Sequence, residues 1–141
     1  MITIKRFRFS DMELLNISNK IRTTVFIVEQ KVDRDLEYEY EEEGNFYLLY
    51  YNENPVATAR WRKTNEGIKL ERFATLKEYR NKGIGSILLK EIMKDVLPIN
   101  QTIYLHSQIK AITYYERVGF RKKGEMFEEA NIKHYLMEYV K

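Results

Sequence analysis

The 141-residue sequence contains no cysteine, and this absence excludes several kinds of chemistry at once. Without a thiol the chain can form no disulfide, no thiolate nucleophile and no zinc site with cysteine ligands. Its two histidines, His106 and His134, lack the close spacing of a ligand pair, so we expect no metal site. No serine stands in a G-x-S-x-G segment, so an acyl-enzyme on a serine nucleophile is not predicted either.

Long apolar runs are also missing. No stretch of about eighteen apolar residues could cross a bilayer. The N-terminal segment "MITIKRFRFSDM" lacks the continuous apolar core and the small-residue cleavage site of a secretory signal. We therefore expect a cytoplasmic protein. Hydrophobic residues at 44% and charged residues at 32% are typical of globular chains, and the length predicts one domain over residues 1–141.

Positive and negative charges nearly balance over the whole chain, but acidic residues are concentrated in one segment. The formal net charge is only +3, and no stripe of Lys and Arg interleaved with exposed aromatics indicates a nucleic-acid partner. Residues 29–43, "EQKVDRDLEYEYEEE", nevertheless carry eight acids against two bases. Such a segment either forms a solvated loop or attracts a cationic group such as a primary amine.

Alternating and helical hydrophobic patterns predict a mixed α/β domain in the order β-α-β-β-β-α-β-α-β. We expect Ser10 to cap the first helix in capping-box register with Glu13, and Gly119 to cap the last helix. Apolar residues on the first helix include Val25 and Val28. The predicted strands are 2–9, 45–52, 55–64, 67–76, 101–107 and 133–140, and the predicted helices are 13–28, 84–96 and 109–118.

The stretch "EYRNKGIGSILLKEIM", residues 78–93, places two glycines just before an apolar helix. The free N–H groups and the positive dipole end of a helix can bind an anion, and glycine lets the backbone approach it closely. No Lys-Ser/Thr pair follows Gly85, which excludes a Walker A loop, and Leu88 replaces the third glycine of a dinucleotide fingerprint. By itself the turn is equally compatible with a simple helix start.

Two flanking patterns point to one family. "RNKGIG" has the form R-x-x-G-x-G after a predicted strand and resembles the pyrophosphate-binding motif of the GCN5-related N-acetyltransferases (GNAT). "QIKAITYYERVGF", residues 108–120, is similar to the family's N-x-x-A-x-x-F-Y-x-x-x-G-F segment, with Gln108 in place of Asn and Tyr114 in place of Phe. "VFIVEQ", "ERFAT", "LHSQ" and the late His134 resemble a small bacterial subgroup of that family.

This resemblance implies both a fold and a function. The fold is a central mixed, mostly antiparallel sheet with splayed middle strands and helices on both faces. The function is transfer of an acetyl group from acetyl-CoA to a primary amine, by direct attack in a ternary complex. The acceptor would be a small molecule or a protein or peptide amine. An alternative on the same fold is a non-catalytic acyl-CoA-binding or sensing domain, and a homodimer, as many relatives form, stays open.

The resemblance also assigns a cofactor site. A β-bulge near residues 71–73 would splay the strand before the loop and free its edge for the pantetheine arm of the cofactor. A backbone amide there would polarise the thioester oxygen, and the side chains of Arg80 and Lys82 can add positive charge. The implied cofactor-binding residues are Phe73, Ala74, Thr75, Leu76, Arg80, Asn81, Lys82, Gly83, Ile84, Gly85, Ser86, Gln108, Ala111 and Tyr114.

Catalytic and acceptor-side residues follow from the same resemblance. Tyr115 matches the family's tyrosine that protonates the departing thiolate of CoA, although it also lies on an apolar helix face and can simply pack. A phenol with a pKa near 10 is still protonated at neutral pH and can donate. The candidates for general base are Glu71, acting through water, and His134 or His106. The implied acceptor-binding residues are Arg22, Glu29 and His106.

Overall fold

The computed structural model describes residues 1–32 and 39–140. Over these ranges the chain forms a seven-stranded sheet and three α-helices, joined by short helical turns. In chain order the elements are β1 Ile2–Arg8, α1 Met12–Arg22, β2 Asn45–Tyr51, β3 Asn54–Thr64, β4 Gly67–Thr75, α2 Ile84–Val96, β5 Ile103–Gln108, α3 Ile112–Val118, β6 Phe120–Glu129 and β7 Ile132–Tyr139.

The sheet has the strand order β1-β2-β3-β4-β5-β7-β6, and neighbouring strands are antiparallel except for β4 and β5. The parallel ladder between β4 and β5 joins Ile68–Leu70 to Ile103–Leu105 and goes no further. Beyond Leu70 and Leu105 the two strands continue without pairing to each other. The predicted mixed, mostly antiparallel sheet with splayed middle strands is therefore confirmed.

A β-bulge in β4 lies where the two middle strands separate. Arg60 pairs with Glu71 and Thr58 pairs with Ala74, so β4 has one more residue than β3 between these pairs. Within the bulge, Arg72 adopts a left-handed backbone with a φ of 58°. The extra residue bends β4 and ends its ladder with β5. The bulge predicted near residues 71–73 is present.

Alternating residues of the central strands pack against helices on both faces of the sheet. Tyr47 and Leu49 of β2 belong to the cluster under α2, whereas Phe46 and Leu48 belong to the cluster with α1. The predicted apolar ridge of α2 is fully buried, with no more than 1% exposure at Ile84, Leu88, Ile92 and Val96. Such burial of an amphipathic face is what holds most helices in place.

The first helix differs from its predicted form at both ends. The N-cap is Asp11, not Ser10, because the Asp11 carboxylate accepts the Leu14 N–H at 3.2 Å. After Arg22 the chain winds into a π-helical segment, Thr23–Glu29, in which the Gln30 N–H bonds to the Val25 carbonyl. Bonds from i to i+5 wind more residues into each turn, so the 3.6-residue pattern loses register. Val28, predicted on the buried face, is consequently 66% exposed.

The strand β6 was not predicted. Its sequence "FRKKGEMFEE" shows no apolar alternation, because β6 is an edge strand and most of its residues are exposed on both faces. Charged side chains on an edge strand are common because they discourage pairing with other chains. Apolar alternation appears only in a strand with one buried face, so the sequence of β6 carries no such signal.

The last helix is shorter than predicted. Residues 109–111 form a 3₁₀ turn, and α3 covers only Ile112–Val118. Gly119 ends the helix with a φ of 120°, as the predicted glycine cap requires. No helix in the described ranges combines the length and the apolarity needed to cross a bilayer.

Candidate active site

The separation of β4 and β5 opens a cleft of about 340 Å³ in the middle of the sheet. Its walls include the π-helical segment and the chain just after it, the β6–β7 hairpin and the start of α3. The cleft brings together residues that the sequence patterns singled out separately: Glu71, Phe73, His106, Gln108, Ala111, Tyr115 and His134.

The glycine turn lies at the start of α2. Gly83 is its N-cap, with a φ of 77°, and no heavy atom lies within 4 Å of the position a Cβ would take there. The first N–H groups of α2, from Ile84 to Ser86, face outward from the helix end without helical acceptors. A Cβ on Gly85 would lie 3.6 Å from the Tyr114 hydroxyl oxygen, so the turn and the second motif meet in space.

The two basic side chains of the turn differ in their surroundings. Arg80 donates from Nε to the Thr75 carbonyl at 2.8 Å and from its guanidinium to the Glu29 carboxylate at 2.9 Å. A predicted cofactor residue and a predicted acceptor residue thus pair with each other. Lys82 is exposed, and its Nζ lies 5.6 Å from the centre of the Tyr79 ring.

Tyr115 is buried at the wall of the cleft, with 9% exposure. Its ring contacts those of Phe73, Tyr114 and Phe120 at centroid distances of 5.0 to 6.1 Å. Burial, with a smaller contribution from Tyr114, raises the pKa of Tyr115 well above the ordinary value of a phenol. The hydroxyl therefore keeps its proton at every physiological pH. Packing and proton donation are both compatible with this position.

Glu71 lies at the bulge and is the most heavily paired acid of the cleft. Its Oε2 accepts from Arg60 Nε at 2.6 Å and from Arg62 Nε at 3.0 Å. Burial raises the pKa of this carboxyl, but the charges of Arg60, Arg72, Lys69 and Arg62 outweigh burial and hold it below its usual range. Its buried Oε1 accepts no hydrogen bond in the described part of the chain, and Lys69 Nζ lies 3.5 Å from it.

The two histidines make different contacts in the cleft. Nδ1 of His106 lies 3.0 Å from Oε2 of Glu129, and the ring meets Phe127 edge to face at 5.0 Å. Nδ1 of His134 lies 2.7 Å from the Ile132 carbonyl oxygen, and its side chain is 7% exposed. The hydrogen bond with His106 lowers the pKa of Glu129 to about 2. Glu129 is therefore ionised wherever the protein works.

One predicted acceptor-side residue, Arg22, is buried. It is only 1% exposed, and its guanidinium bonds to Glu41 at 3.0 Å and to Asn19 at 3.2 Å. Its place on the acceptor side stays a prediction. Of the acidic segment predicted to attract an amine, Glu39 borders the cleft, whereas Asp33, Asp35 and Glu37 lie outside the described residues.

Several cleft residues were not picked out from the sequence. Gln30, inside the quoted "VFIVEQ" segment, accepts a hydrogen bond from Gln108 Nε2 at 2.9 Å and so joins the segment after the π-helix to β5. Glu129 follows from no motif. It is placed by the β6–β7 hairpin, where it pairs with Ile132 across the turn. Only a prediction of β6 would have brought it near His106.

A family model described as an acetyltransferase (GNAT) domain matches residues 10–141. The chain belongs to the GNAT family. It is 38% identical over 126 residues to the uncharacterized protein YyaT of Bacillus subtilis (strain 168), covering 84% of this chain and 83% of that one. It is 34% identical over 120 residues to the uncharacterized N-acetyltransferase YjcF of the same organism, covering 83% and 86%. The family predicted from the two motifs is confirmed. Because this family catalyses acyl transfer, the chain is an acyltransferase.

Solved structures share the GNAT fold over almost the full length. An acyl-CoA N-acyltransferase from Pseudomonas aeruginosa superposes with a TM-score of 0.88 at 20% identity, covering 99% of this chain and 100% of that one. A GNAT acetyltransferase from Elizabethkingia anophelis, solved with acetyl-CoA bound, gives a TM-score of 0.69 at 16% identity, covering 98% and 97%. At these identities the likeness establishes the fold.

Proposed function

We propose that this GNAT protein acts, as a single domain, as an acetyl-CoA-dependent N-acetyltransferase that acetylates a primary amine by direct attack in a ternary complex. The main support for this proposal is the cleft between β4 and β5. It joins a free strand edge, a proton-bearing tyrosine and ionisable side chains in one enclosure that opens at the middle of the sheet. Direct attack needs two reactants held side by side, and the cleft places the free edge of β4 next to the ionisable side chains.

The residues present fit coenzyme A. The open space around Gly83 and the N–H groups at the start of α2 suit a diphosphate. The edge of β4 beyond Leu70 has no partner in β5, which suits an extended pantetheine arm. We assign the cofactor contacts to the backbone of residues 73–76 and 80–86, with Gln108, Ala111 and Tyr114 beside them. Bound acetyl-CoA would supply an acetyl thioester.

The groups lining the cleft would then stabilise the charge that develops during the reaction and transfer protons. A backbone amide in residues 73–76 would polarise the thioester carbonyl. Tyr115 holds a phenolic proton at neutral pH and can deliver it to a departing thiolate. The acceptor ammonium would first give up one proton to a base in the cleft. Its nitrogen would then form the new N–C bond as the C–S bond breaks, and the second proton lost from nitrogen would replace the one that Tyr115 gives to the thiolate. The candidates for that base are Glu71, His134 and His106.

The first experiment tests binding and turnover separately. Thermal shifts with acetyl-CoA, NAD and ATP come first, and thiol release from acetyl-CoA is then measured over a panel of polyamines, amino sugars and amino acids. We expect a shift with acetyl-CoA alone and release with at least one primary amine. Stabilisation by NAD or ATP without stabilisation by acetyl-CoA would overturn the proposal. Cationic amines should be preferred, and a panel without that preference would contradict an amine site built from Glu39, Glu71 and Glu129.

Tyr115→Phe separates catalysis from mere binding. Removing a proton donor should lower thiol release roughly 10²- to 10⁴-fold, while the thermal shift with acetyl-CoA persists. Tyr135→Phe, which removes a hydroxyl from a β7 ring 4.9 Å from Lys122 Nζ, is the matched control and should stay active. If the wild type binds acetyl-CoA but acetylates no amine, the protein is instead the non-catalytic acyl-CoA-binding domain considered as the alternative.

A further inference from the structure

Three ionisable side chains of the cleft could take the proton from the acceptor, and their surroundings distinguish them. We propose that His106 is the proton acceptor and that Glu129 is the positioning residue that holds its ring. This inference rests on the proposed N-acetyltransferase function and deepens it. It uses a carboxylate, at the end of the unpredicted strand β6, that no motif of the sequence pointed to.

The contact between the two residues fixes the form of the imidazole. Glu129 is ionised at working pH, so its Oε2 can only accept a hydrogen bond. The hydrogen shared at 3.0 Å therefore sits on Nδ1 of His106, and Nε2 carries the lone pair. The edge-to-face contact with Phe127 at 5.0 Å and the tilted contact with Tyr104 at 6.0 Å restrict rotation of the ring. A positioned imidazole whose Nε2 has no hydrogen bond within residues 1–32 and 39–140 can act as a general base.

Charged groups from every neighbouring strand act on this pair. Glu129 of β6 is in hydrogen-bond contact with His106, and the charges of Lys69 of β4 and His134 of β7 also act on its carboxylate. Two depressions of this surface, the cleft and the adjoining one toward β3, include His106 and Lys69 in their walls, together with Arg62 of β3 and the acids Glu71 of β4 and Glu138 of β7. Among the described residues, Glu129 is the charged group in direct contact with the His106 ring.

The other two candidates are less suited to the task. Glu71 Oε2 is held by two arginines, and its lowered pKa makes it a weak base at neutral pH. His134 donates from Nδ1 to a neutral carbonyl and is 7% exposed, so a charge placed on it would be buried without a hydrogen-bonded carboxylate among the described residues. Among the three, only His106 has both a fixed tautomer and an anion in contact.

The step itself is a proton transfer. An N–H bond of the acceptor ammonium breaks, and its electron pair stays on nitrogen as the nucleophilic lone pair. A new N–H bond forms at Nε2 of His106, and the positive charge moves to the imidazole beside Glu129. The imidazolium afterwards loses its proton to solvent, since His106 is partly exposed.

The chain offers a clean spectroscopic test because it has only two histidines. The full-length protein, without ligand, is titrated by NMR, and the two imidazole signals are assigned with His106→Gln and His134→Gln. In Glu129→Gln we expect the midpoint of the His106 signal to move to lower pH while that of His134 moves less. Glu128→Gln makes the same charge change on the exposed neighbour in β6 and should move neither. An unmoved His106 midpoint in Glu129→Gln overturns the assignment.

Kinetics then separate a catalytic pair from a structural one. With the best amine of the panel, His106→Gln should lower kcat roughly 10²- to 10⁴-fold, the usual value of general base catalysis. Glu129→Gln should lower it roughly ten- to a hundredfold, the value of one hydrogen bond to a charged group, and should shift the acid limb of kcat/KM to lower pH. The amine is the same throughout, so its own titration cancels.

A displaced NMR midpoint with an unchanged acid limb would make the pair structural and refute the inference. Wild-type protein that acetylates no amine would refute the proposed function instead. An active wild type whose His106→Gln variant is equally active would refute the inference alone.

Discussion

Glu71→Gln should be the most destabilising conservative change in the cleft. The substitution keeps an oxygen but removes the negative charge that faces Arg60 at 2.6 Å and Arg62 at 3.0 Å. Arg60 is 0% exposed, so water cannot solvate its charge in place of Glu71. Breaking one partner out of a buried ion pair costs about 3–5 kcal/mol. Arg60 keeps Glu41 at 3.3 Å and the Glu39 carbonyl, so we expect a loss of about 3 kcal/mol, near the lower end of that range.

The loss should depend on pH in a defined direction. Because the pKa of Glu71 is lowered in the folded state, its contribution is fully present above the unfolded value of about 4.3. It declines as the pH falls below that value and disappears once the pH passes the native pKa. Urea unfolding of wild type and variant at neutral pH and in acid measures this. The difference in unfolding free energy should be largest at neutral pH and should shrink in acid.

A matched control separates burial from charge. Glu138→Gln removes the same charge from an exposed pair, 3.2 Å from Lys123, and should cost less than about 1 kcal/mol. If Glu71→Gln were no more costly than this control, the ion pairs would not hold the bulge. The variant should also raise the KM for acetyl-CoA, because Glu71 directly precedes the left-handed Arg72 that bends β4 away from β5.

Two further predictions concern the loop and the buried tyrosines. Gly83→Ala should destabilise the protein by about 1 kcal/mol because the φ of Gly83 is 77°, whereas Gly85→Ala should leave stability unchanged or raise it and yet weaken acetyl-CoA binding. Urea unfolding measures the stability and calorimetry the binding, and equal effects of the two variants on stability would contradict this prediction. Above about pH 10, where the tyrosines of the unfolded chain ionise, the free energy of unfolding should fall by about 1.4 kcal/mol per pH unit for each tyrosine whose native pKa is raised. Urea unfolding of Tyr115→Phe should show a smaller fall, and an unchanged slope would contradict the raised pKa of Tyr115.

Local patterns predicted those parts of the molecule that one chain segment determines. The ridge of α2 repeats Ile84, Leu88, Ile92 and Val96 at helical spacing, and each is buried. The hairpin of β2 and β3 turns at Asn52 and Glu53, both with positive φ, as the turn residues between two apolar runs indicated. The two motifs also identified the family, because together they carry enough fixed positions, although neither does so alone.

The remaining features depend on contacts between distant segments. The pairing of Glu29 with Arg80 joins residues 51 positions apart, and that of His106 with Glu129 joins residues 23 apart. The sequence around a charged residue does not indicate which distant residue it will pair with, so these pairs cannot be predicted from spacing. The π-helical segment is also not predicted, because its residues, mostly β-branched, carry no sequence signal that distinguishes a π-helical turn from an α-helical one.

The acidic segment illustrates how the structure changes the meaning of a charge pattern. As a sequence, residues 29–43 suggest a field that attracts amines, but much of the described charge is neutralised inside the fold. Glu41 contacts both Arg22 and Arg60, Glu43 lies 3.8 Å from Arg62, and Glu29 pairs with Arg80. If the acceptor is the amine proposed above, its selection depends on a few short contacts inside the cleft, where salt screens charge weakly and the position of each charge matters more than the net charge. Two carboxylates in the cleft, that of Glu71 and that of Glu129 beside His106, are the acidic groups that the proposed amine site would use.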